Sequence, residues 1–429
     1  MTIKSSISKY AVVTALLFSA CKKEFVNPNQ PTEDQVFASE RAASAVALGL
    51  QRVYSAGAGS SLYALIDANG FVTNELDLRN AGNIGELQLW TGGSAIDATN
   101  TVLLNVWTKS NKIIYDADLV INYANGLNDP STASGLIGFA SIFKALSLGN
   151  MSMLWENIPG SIGPDVSFIP RLDGFKKAIT VIDDAIALVT ANPPGATILG
   201  RLPADVDILN TLYALKARYS LYAGDYPAAY TAAGMVDLSV KSQIAFEETT
   251  QNPVFESATS TNNVYQPIDS TMGLPPALAP DLNDQRVPFY IGINPTTPPR
   301  HRIKGFFDAG TSAVPFYLPG EMLLIRAEAL ARQDMLPDAI IELDKVITKE
   351  PADDIYGVGA GLAGFAGTTK EEILTEIYRQ RCIEMFMSGQ KLEDMRRFDR
   401  PLSERKRNFF PYPFSERDNN PNTPGDPDF

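Results

Sequence analysis

Apolar side chains recur every three or four residues along most of this chain from about Glu33 onward, a period that points to helices packed on helices. Phe175, Ile179, Ile182, Ile186 and Val189 keep this spacing after Asp173, a residue type that caps helices, and Asn192-Pro193-Pro194 ends the run. Ile208, Leu212, Leu215, Tyr219 and Tyr222 repeat the pattern before Gly224-Asp225. Met322, Ile325, Ala329 and Leu330 form one apolar side of Glu321 to Gln333. Trp107 to Asn125 and Ile142 to Trp155 read as two more amphipathic helices. The expected fold class is all-α.

The second and third helices each open a helix-turn-helix unit of tetratricopeptide character. Ala217, Gly224-Asp225-Tyr226, Ala229 and Ala233 stand where that repeat places small residues and a turn. Ala327, Asp334, Leu336, Ala339, Leu343 and Pro351 do the same in the second unit. Between them lies a Pro-rich stretch, ten prolines over 252–315, which predicts a long irregular insertion. Its aromatics, among them Tyr265, Phe289, Tyr290, Phe306 and Phe307, argue that it is ordered and functional. The tail after Pro401 is also irregular, but Phe409-Phe410-Pro411-Tyr412-Pro413-Phe414 is too aromatic for solvent and is expected to pack back onto the helices.

The N-terminus is an address. Lys4 and Lys9 precede an apolar run, Ala11 to Phe18, about half the ~20 residues that a membrane-spanning helix needs. Residues 1–20 therefore read as a signal peptide and 21–429 as a single body. Ser19-Ala20-Cys21 resembles a bacterial lipobox, in which Cys21 becomes the lipidated first residue of the mature protein. Cys382 is then the only other thiol, so the body is held by its core and not by disulfides.

Composition excludes several functions. The chain has 36 basic against 49 acidic residues and reads as lacking a basic cluster after the N-terminus, so nucleic acid is not an expected partner. One histidine, His301, and two cysteines exclude most zinc, copper and iron sites; no cofactor is expected, no metal-ligating residue is nominated, and a structural metal such as calcium would have to be held by oxygen alone. His301 lies in Thr-Pro-Pro-Arg-His-Arg, which reads as a solvated loop and gives no catalytic triad. Gly359, Gly361 and Gly364 match a dinucleotide fingerprint by letters, but no strand feeds them and no helix start follows, so they read as an interhelix loop. Asp183-Asp184 and Asp353-Asp354 read as solvated carboxylates. No catalytic residue stands out.

Binding residues are easier to nominate. Trp107 and Trp155 fall inside helical patterns and read as core, whereas Trp90 lies between Gly-rich stretches and reads as an indole on a loop. Such a ring can stack on a sugar face while Asn83 and Asp77 take its hydroxyls. Tyr265 and Tyr290 of the insertion are the next candidates. Near the C-terminus, Arg381 with Glu384 and Asp394 with Arg397 lie three apart and read as a buried ion network locking two helices.

Together these segments resemble the SusD/RagB family of outer-membrane nutrient-binding lipoproteins. The lipobox is followed by Phe139 to Leu146 with Leu154-Trp155-Glu156-Asn157-Ile158-Pro159, then by Glu321 to Ala329, the Arg381/Glu384/Gly389/Asp394/Arg397 stretch, and a tail with Phe410-Pro411-Tyr412-Pro413 and Asn420-Pro421-Asn422. Gln380, Ser388 and Lys391 depart from the family's usual Glu, Glu and Arg. The resemblance implies a non-enzymatic, tetratricopeptide-like body lipid-anchored at the outer membrane and seated on a SusC-like TonB-dependent barrel, capturing oligosaccharides. A peptide-binding member of the same family is the alternative, and a lipid-anchored glycoside hydrolase or a helical scaffold are the rival classes.

Overall fold

The computed structural model describes residues 36–259 and 263–428, so the signal segment and Cys21 lie outside the described residues. The chain clusters into two units, Met1–Ala43 and Ser44–Phe429. Helix α1 spans Glu40–Ser55. The rest of the description concerns the second unit.

Its longer helices are α2 (Ser61–Val72), α3 (Ile84–Thr91), α4 (Thr101–Asn125), α5 (Pro130–Leu154), α6 (Arg171–Ala191), α7 (Ile208–Ala223), α8 (Tyr226–Gly234), α9 (Pro253–Thr259), α10 (Arg286–Tyr290), α11 (Pro319–Arg332), α12 (Leu336–Ile347), α13 (Lys370–Glu384), α14 (Lys391–Arg397) and α15 (Phe414–Asn419). Short polar residues start several of them. Asn100 and Asp207 accept the backbone N–H groups of Leu103 and Asn210 at 3.0 and 2.8 Å, and Asp129 does so for two residues of α5. Thr369 and Glu372 close a reciprocal capping box on α13. Asp173 is not the cap of α6 as expected, because the helix starts two residues earlier, behind Pro170. The N-terminal half of α5 was not foreseen either.

The helices pack in series: α4 on α5, α5 on α6, α6 on α7, α7 on α8, α8 on α11 and α11 on α12 and α13. The two tetratricopeptide-like hairpins, separated in sequence, are therefore neighbours in space through α8 and α11. Leu323, Leu324, Ala327 and Leu330 of α11 meet Ala339, Leu343 and Val346 of α12 and Ile373 and Ile377 of α13 in one apolar cluster. Helix α5 is long and apolar enough to cross a membrane, but most of it is buried inside this stack.

Among the described residues, eight short strands form four antiparallel pairs: β1 (Leu76–Leu78) with β5 (Tyr265–Pro267), β2 (Asn157–Pro159) with β3 (Phe168–Pro170), β4 (Gln243–Ile244) with β8 (Val314–Pro315), and β6 (Ile291–Ile293) with β7 (His301–Ile303). The β4–β8 pair closes the neck of the Pro-rich insertion, which is more regular than its composition implied. Buried polar side chains complete it. Asn252 donates to the carbonyls of Phe306 and Ser312, both at 2.9 Å, and Gln266 accepts the N–H of Ile303 at 2.9 Å. The aromatic tail packs back as expected. Trp107 and Trp155 stack edge to face at 4.8 Å, Trp155 donates to the carbonyl of Pro411 at 2.9 Å, and Phe410 and Tyr412 are buried beside them.

The buried ion network exists, but its pairing differs from expectation. Asp394 does pair with Arg397 at 2.7 Å. Arg381 pairs with Asp394 at 2.9 Å and not with Glu384. Glu384 accepts instead from Arg286 and Lys349, both at 3.0 Å, and these reach Asp284 and Asp354 at 2.7 Å. Asp354 is thus a buried partner and not a solvated loop carboxylate, and Asp183 pairs with Lys216 at 2.6 Å. Arg397 continues the network to Glu328 at 2.7 Å, and a separate pair, Arg218 with Glu321 at 2.6 Å, links α7 to α11.

Gly320 is where this network meets the helix packing. A Cβ there would stand 1.8 Å from Glu384 Oε1, so any side chain displaces the carboxylate from Arg286 and Lys349. Stranding a buried charge costs about 3–5 kcal/mol, well above the ~1 kcal/mol that Ala gains over Gly in a helix. Gly320→Ala is expected to destabilise the protein by about 3 kcal/mol, measured by denaturant unfolding; a neutral or stabilising effect would show that the network yields without cost.

Candidate functional site

Trp90 is 41% exposed, but it sits on α3 and not on a loop. Asn83 is the cap position of that helix, its side chain turned to the carbonyl of Asn80 at 3.2 Å. Gly92 ends the helix at φ +77°, and a Cβ there would stand 2.4 Å from Lys406 Cβ. That close approach brings Lys406 Nζ to 5.5 Å from the centre of the Trp90 ring, within cation–π range. The indole N–H donates to Asp77 Oδ1 at 3.3 Å, and Arg79 pairs with the other Asp77 oxygen at 3.0 Å. Three of the nominated residues, Trp90, Asn83 and Asp77, are thus brought to one region by β1 and α3.

Asp77 and Arg79 line a cleft of about 350 Å³ whose far wall is the tip of the β6–β7 hairpin, from Asn294 to His301, with Pro267 and Ile268 on its floor. This falls at the lower end of the volume range of small-ligand sites. Arg79, Lys406 and the hairpin tip were missed in the sequence. His301 begins strand β7 and faces this cleft; it does not belong to a free loop.

Tyr265 and Tyr290 are not surface platforms. Tyr265 is fully buried on β5, its ring 5.7 Å from Phe71 and 6.2 Å from Tyr63. Tyr290 is 2% exposed and donates its hydroxyl to the carbonyl of Glu384 at 2.6 Å. It lines a cavity of only about 80 Å³ with Tyr54, Leu65, Phe306 and Met385, small beside the ~300 Å³ of a typical ligand pocket. Both tyrosines are core residues of the insertion. The glycines at 359, 361 and 364 do form a loop between α12 and α13.

Residues 308–425 match the model of the SusD family. The fold as a whole is similar to solved structures of that superfamily. A SusD superfamily protein from Bacteroides thetaiotaomicron has a TM-score of 0.67 at 15% identity, covering 91% of this chain and 100% of that one. A SusD-like carbohydrate binding protein from Bacteroides vulgatus has a TM-score of 0.64 at 16% identity, covering 83% of each chain. A SusD-like carbohydrate binding protein from Bacteroides fragilis has a TM-score of 0.64 at 14% identity, covering 85% and 87%. No curated protein matches the sequence. The C-terminal part thus matches the SusD family model, and the fold of the chain is that of the solved SusD-superfamily structures. The matched residues contain α11 to α15 and much of the ion network, while Trp90 and the Asp77 cleft lie before them.

One further group lies beneath the site. Asp67 on α2 is fully buried, and neither of its carboxyl oxygens has a hydrogen-bond partner among the described residues. Glu86, on the same helix as Trp90, and the hydroxyls of Tyr63 and Tyr265 act on it electrostatically. Burial first, and then the charge of Glu86, hold the Asp67 carboxyl well above the usual carboxylate range. A folded pKa raised above the unfolded one adds stability that is present below the unfolded value, near pH ~4, and is lost as pH rises through the folded pKa. Asp67→Asn keeps the shape and removes the titration. Its melting temperature is expected to match wild type near pH 4 and to exceed it increasingly toward alkaline pH; a gap independent of pH would contradict the buried, protonated carboxyl.

Proposed function

We propose that this chain is a cell-surface binding lipoprotein that captures glycan fragments and passes them to a TonB-dependent outer-membrane transporter. The observation that carries the binding role is the half-exposed Trp90, fixed by Asp77 and Lys406 at the edge of a polar cleft. An indole face and a ring of amide, hydroxyl and guanidinium groups match the two faces of a pyranose: C–H groups on one, hydroxyls on the other. The carbohydrate-binding relatives from Bacteroides support the choice of ligand class. Asp77 is the single carboxylate among the described residues lining the cleft, and it is already engaged by Trp90 and Arg79, whereas glycoside hydrolysis uses two carboxyl groups flanking the bond. Binding without turnover is the better reading.

Trp90→Ala removes the stacking face and leaves Asp77 and Asn83 in place. Its affinity for the best-bound oligosaccharide of a neutral panel should fall roughly tenfold or more, the equivalent of about 1.4 kcal/mol, with little change in melting temperature. A large drop in melting temperature with binding intact would make the indole a structural residue, and tight binding of peptides alone would change the ligand class.

Delivery rests on Cys21 as the lipid-bearing first residue of the mature body 21–429. In the native organism the wild-type protein should fractionate with the outer membrane and, after mild detergent extraction, co-purify with a much larger barrel protein. Cys21→Ser should move it out of the membrane fraction. Recovery of the wild-type protein alone, or a membrane-bound Cys21→Ser, would contradict this part of the reading.

A further inference from the structure

The stretch from Arg396 to Arg407 carries six basic residues and two acidic ones, which corrects the expectation that no basic cluster follows the N-terminus. Some of these charges are matched: Arg397 by Glu328 and Asp394, and Arg400 by Glu404 at 2.5 Å. Others are not. Arg171, Arg396, Arg400 and Arg405 line a single cleft of about 670 Å³ with Leu172 and Phe409. In it Arg171 and Arg396 divide one buried carboxylate, Glu393, at 2.7 and 2.9 Å, and both guanidinium groups lie over the Phe409 ring, at 5.5 and 4.1 Å.

The donors are also unevenly used. Arg171 bonds both Glu393 oxygens through the same nitrogen, Nη2, at 2.7 Å. Among the described residues Arg405 makes no ion pair, with Glu404 acting on it only at longer range; Nη1 donates to the carbonyl of Arg400 at 3.1 Å, and Nε is buried without a hydrogen-bond partner among those residues. Burial, together with the like charge of Arg171, pulls Arg396 below the usual guanidinium range, and burial lowers Arg405 as well. Arg396 is fully engaged, its nitrogens donating also to Asn408 and to the carbonyl of Met153, so the spare planar donors belong to Arg171 and Arg405, and Arg forks match carboxylate and sulfate oxygens. Glu156 and Asp399 also line the cleft and would oppose an anion from its rim.

We propose that this cleft is an oxyanion site that seats a carboxylate or sulfate group borne on a sugar, with the ring against Leu172, which is 45% exposed. It is distinct from the Trp90 cleft and stands or falls without it. The probes are methyl glucuronide, methyl glucoside and sodium sulfate, titrated calorimetrically into the mature protein at low salt. The glucuronide should bind at least tenfold more tightly than the glucoside and weaken as salt is raised. Arg405→Gln should weaken the glucuronide roughly tenfold or more, as expected for one charge-assisted hydrogen bond, and Glu156→Gln should strengthen it. Melting temperatures identify any variant that fails to fold, and Glu156→Gln, at an exposed position, provides a readout that does not depend on Arg405. Equal affinity for glucuronide and glucoside, or glucuronide binding indifferent to both substitutions, overturns the proposal. Sulfate alone matching the glucuronide overturns the sugar-borne form of it. Neutral oligosaccharides are titrated in parallel, so a failure at the Trp90 face is read separately.

Discussion

Glu384 is the charge around which the C-terminal half is arranged. It is fully buried, so its ionised form is tolerable only because Arg286 from the insertion and Lys349 from the loop after α12 both reach it. Those two in turn hold Asp284 and Asp354, which fixes the insertion and the loop against α13. A buried ion pair is weak evidence of net stability, because desolvation offsets much of the attraction. Its effect here is on register: a shift of any of these segments would strand a charge at a cost of about 3–5 kcal/mol. Gln380 fits this account. It accepts from Arg286 at 2.5 Å and donates to Glu376 at 2.6 Å, and a Glu in its place would set four carboxylates against Arg286 and Lys349 where there are now three. What the sequence presents as a departure from family usage lowers the charge imbalance of the site.

The helical body was legible because its signals are local. Ile208, Leu212, Leu215, Tyr219 and Tyr222 lie on one face at helical spacing, and all are buried. The pairing of charges was not legible, since spacing of three on a helix matches Asp394 to Arg397 but says nothing of Arg286, which meets Glu384 from 98 residues away. Trp90 was misplaced for a related reason. Glycines at 82, 85, 92 and 93 mark a loop by propensity, yet Gly85 lies where a Cβ would meet Thr101 Oγ1 at 2.7 Å, so the glycine serves close packing against the start of α4. Tertiary fit overrode local preference. Tyr265 and Tyr290 read as binding candidates because a Pro-rich stretch has no period from which burial can be read. Only the strand pairs and the side-chain amides of Asn252 and Gln266 show that the insertion has an interior.

The site depends on the body through α2, every residue of which is buried. Asn69 accepts the backbone N–H of Leu392, at the start of α14, at 3.3 Å, and Glu75, just past the helix, accepts that of Met387 at 3.2 Å. These bonds attach α2 to the region of the ion network. Asp67, on the same helix, lies near Tyr265 and Glu86, the residues on β5 and α3 that neighbour the Trp90 platform. Lys406 adds a second attachment, its backbone N–H bonded to the carbonyl of Val72 at 2.8 Å while its side chain stands over Trp90. Arg407 donates to the carbonyl of Gly93 at 2.9 Å. The indole is therefore oriented by backbone bonds from both sides, which limits the entropy lost when a ligand stacks on it. On the proposed reading, a platform held in this way selects by shape and hydroxyl pattern, with the hairpin tip opposite setting its specificity, since Asn294, Thr296 and Thr297 are joined by their own turn bonds and can change without disturbing the helices beneath.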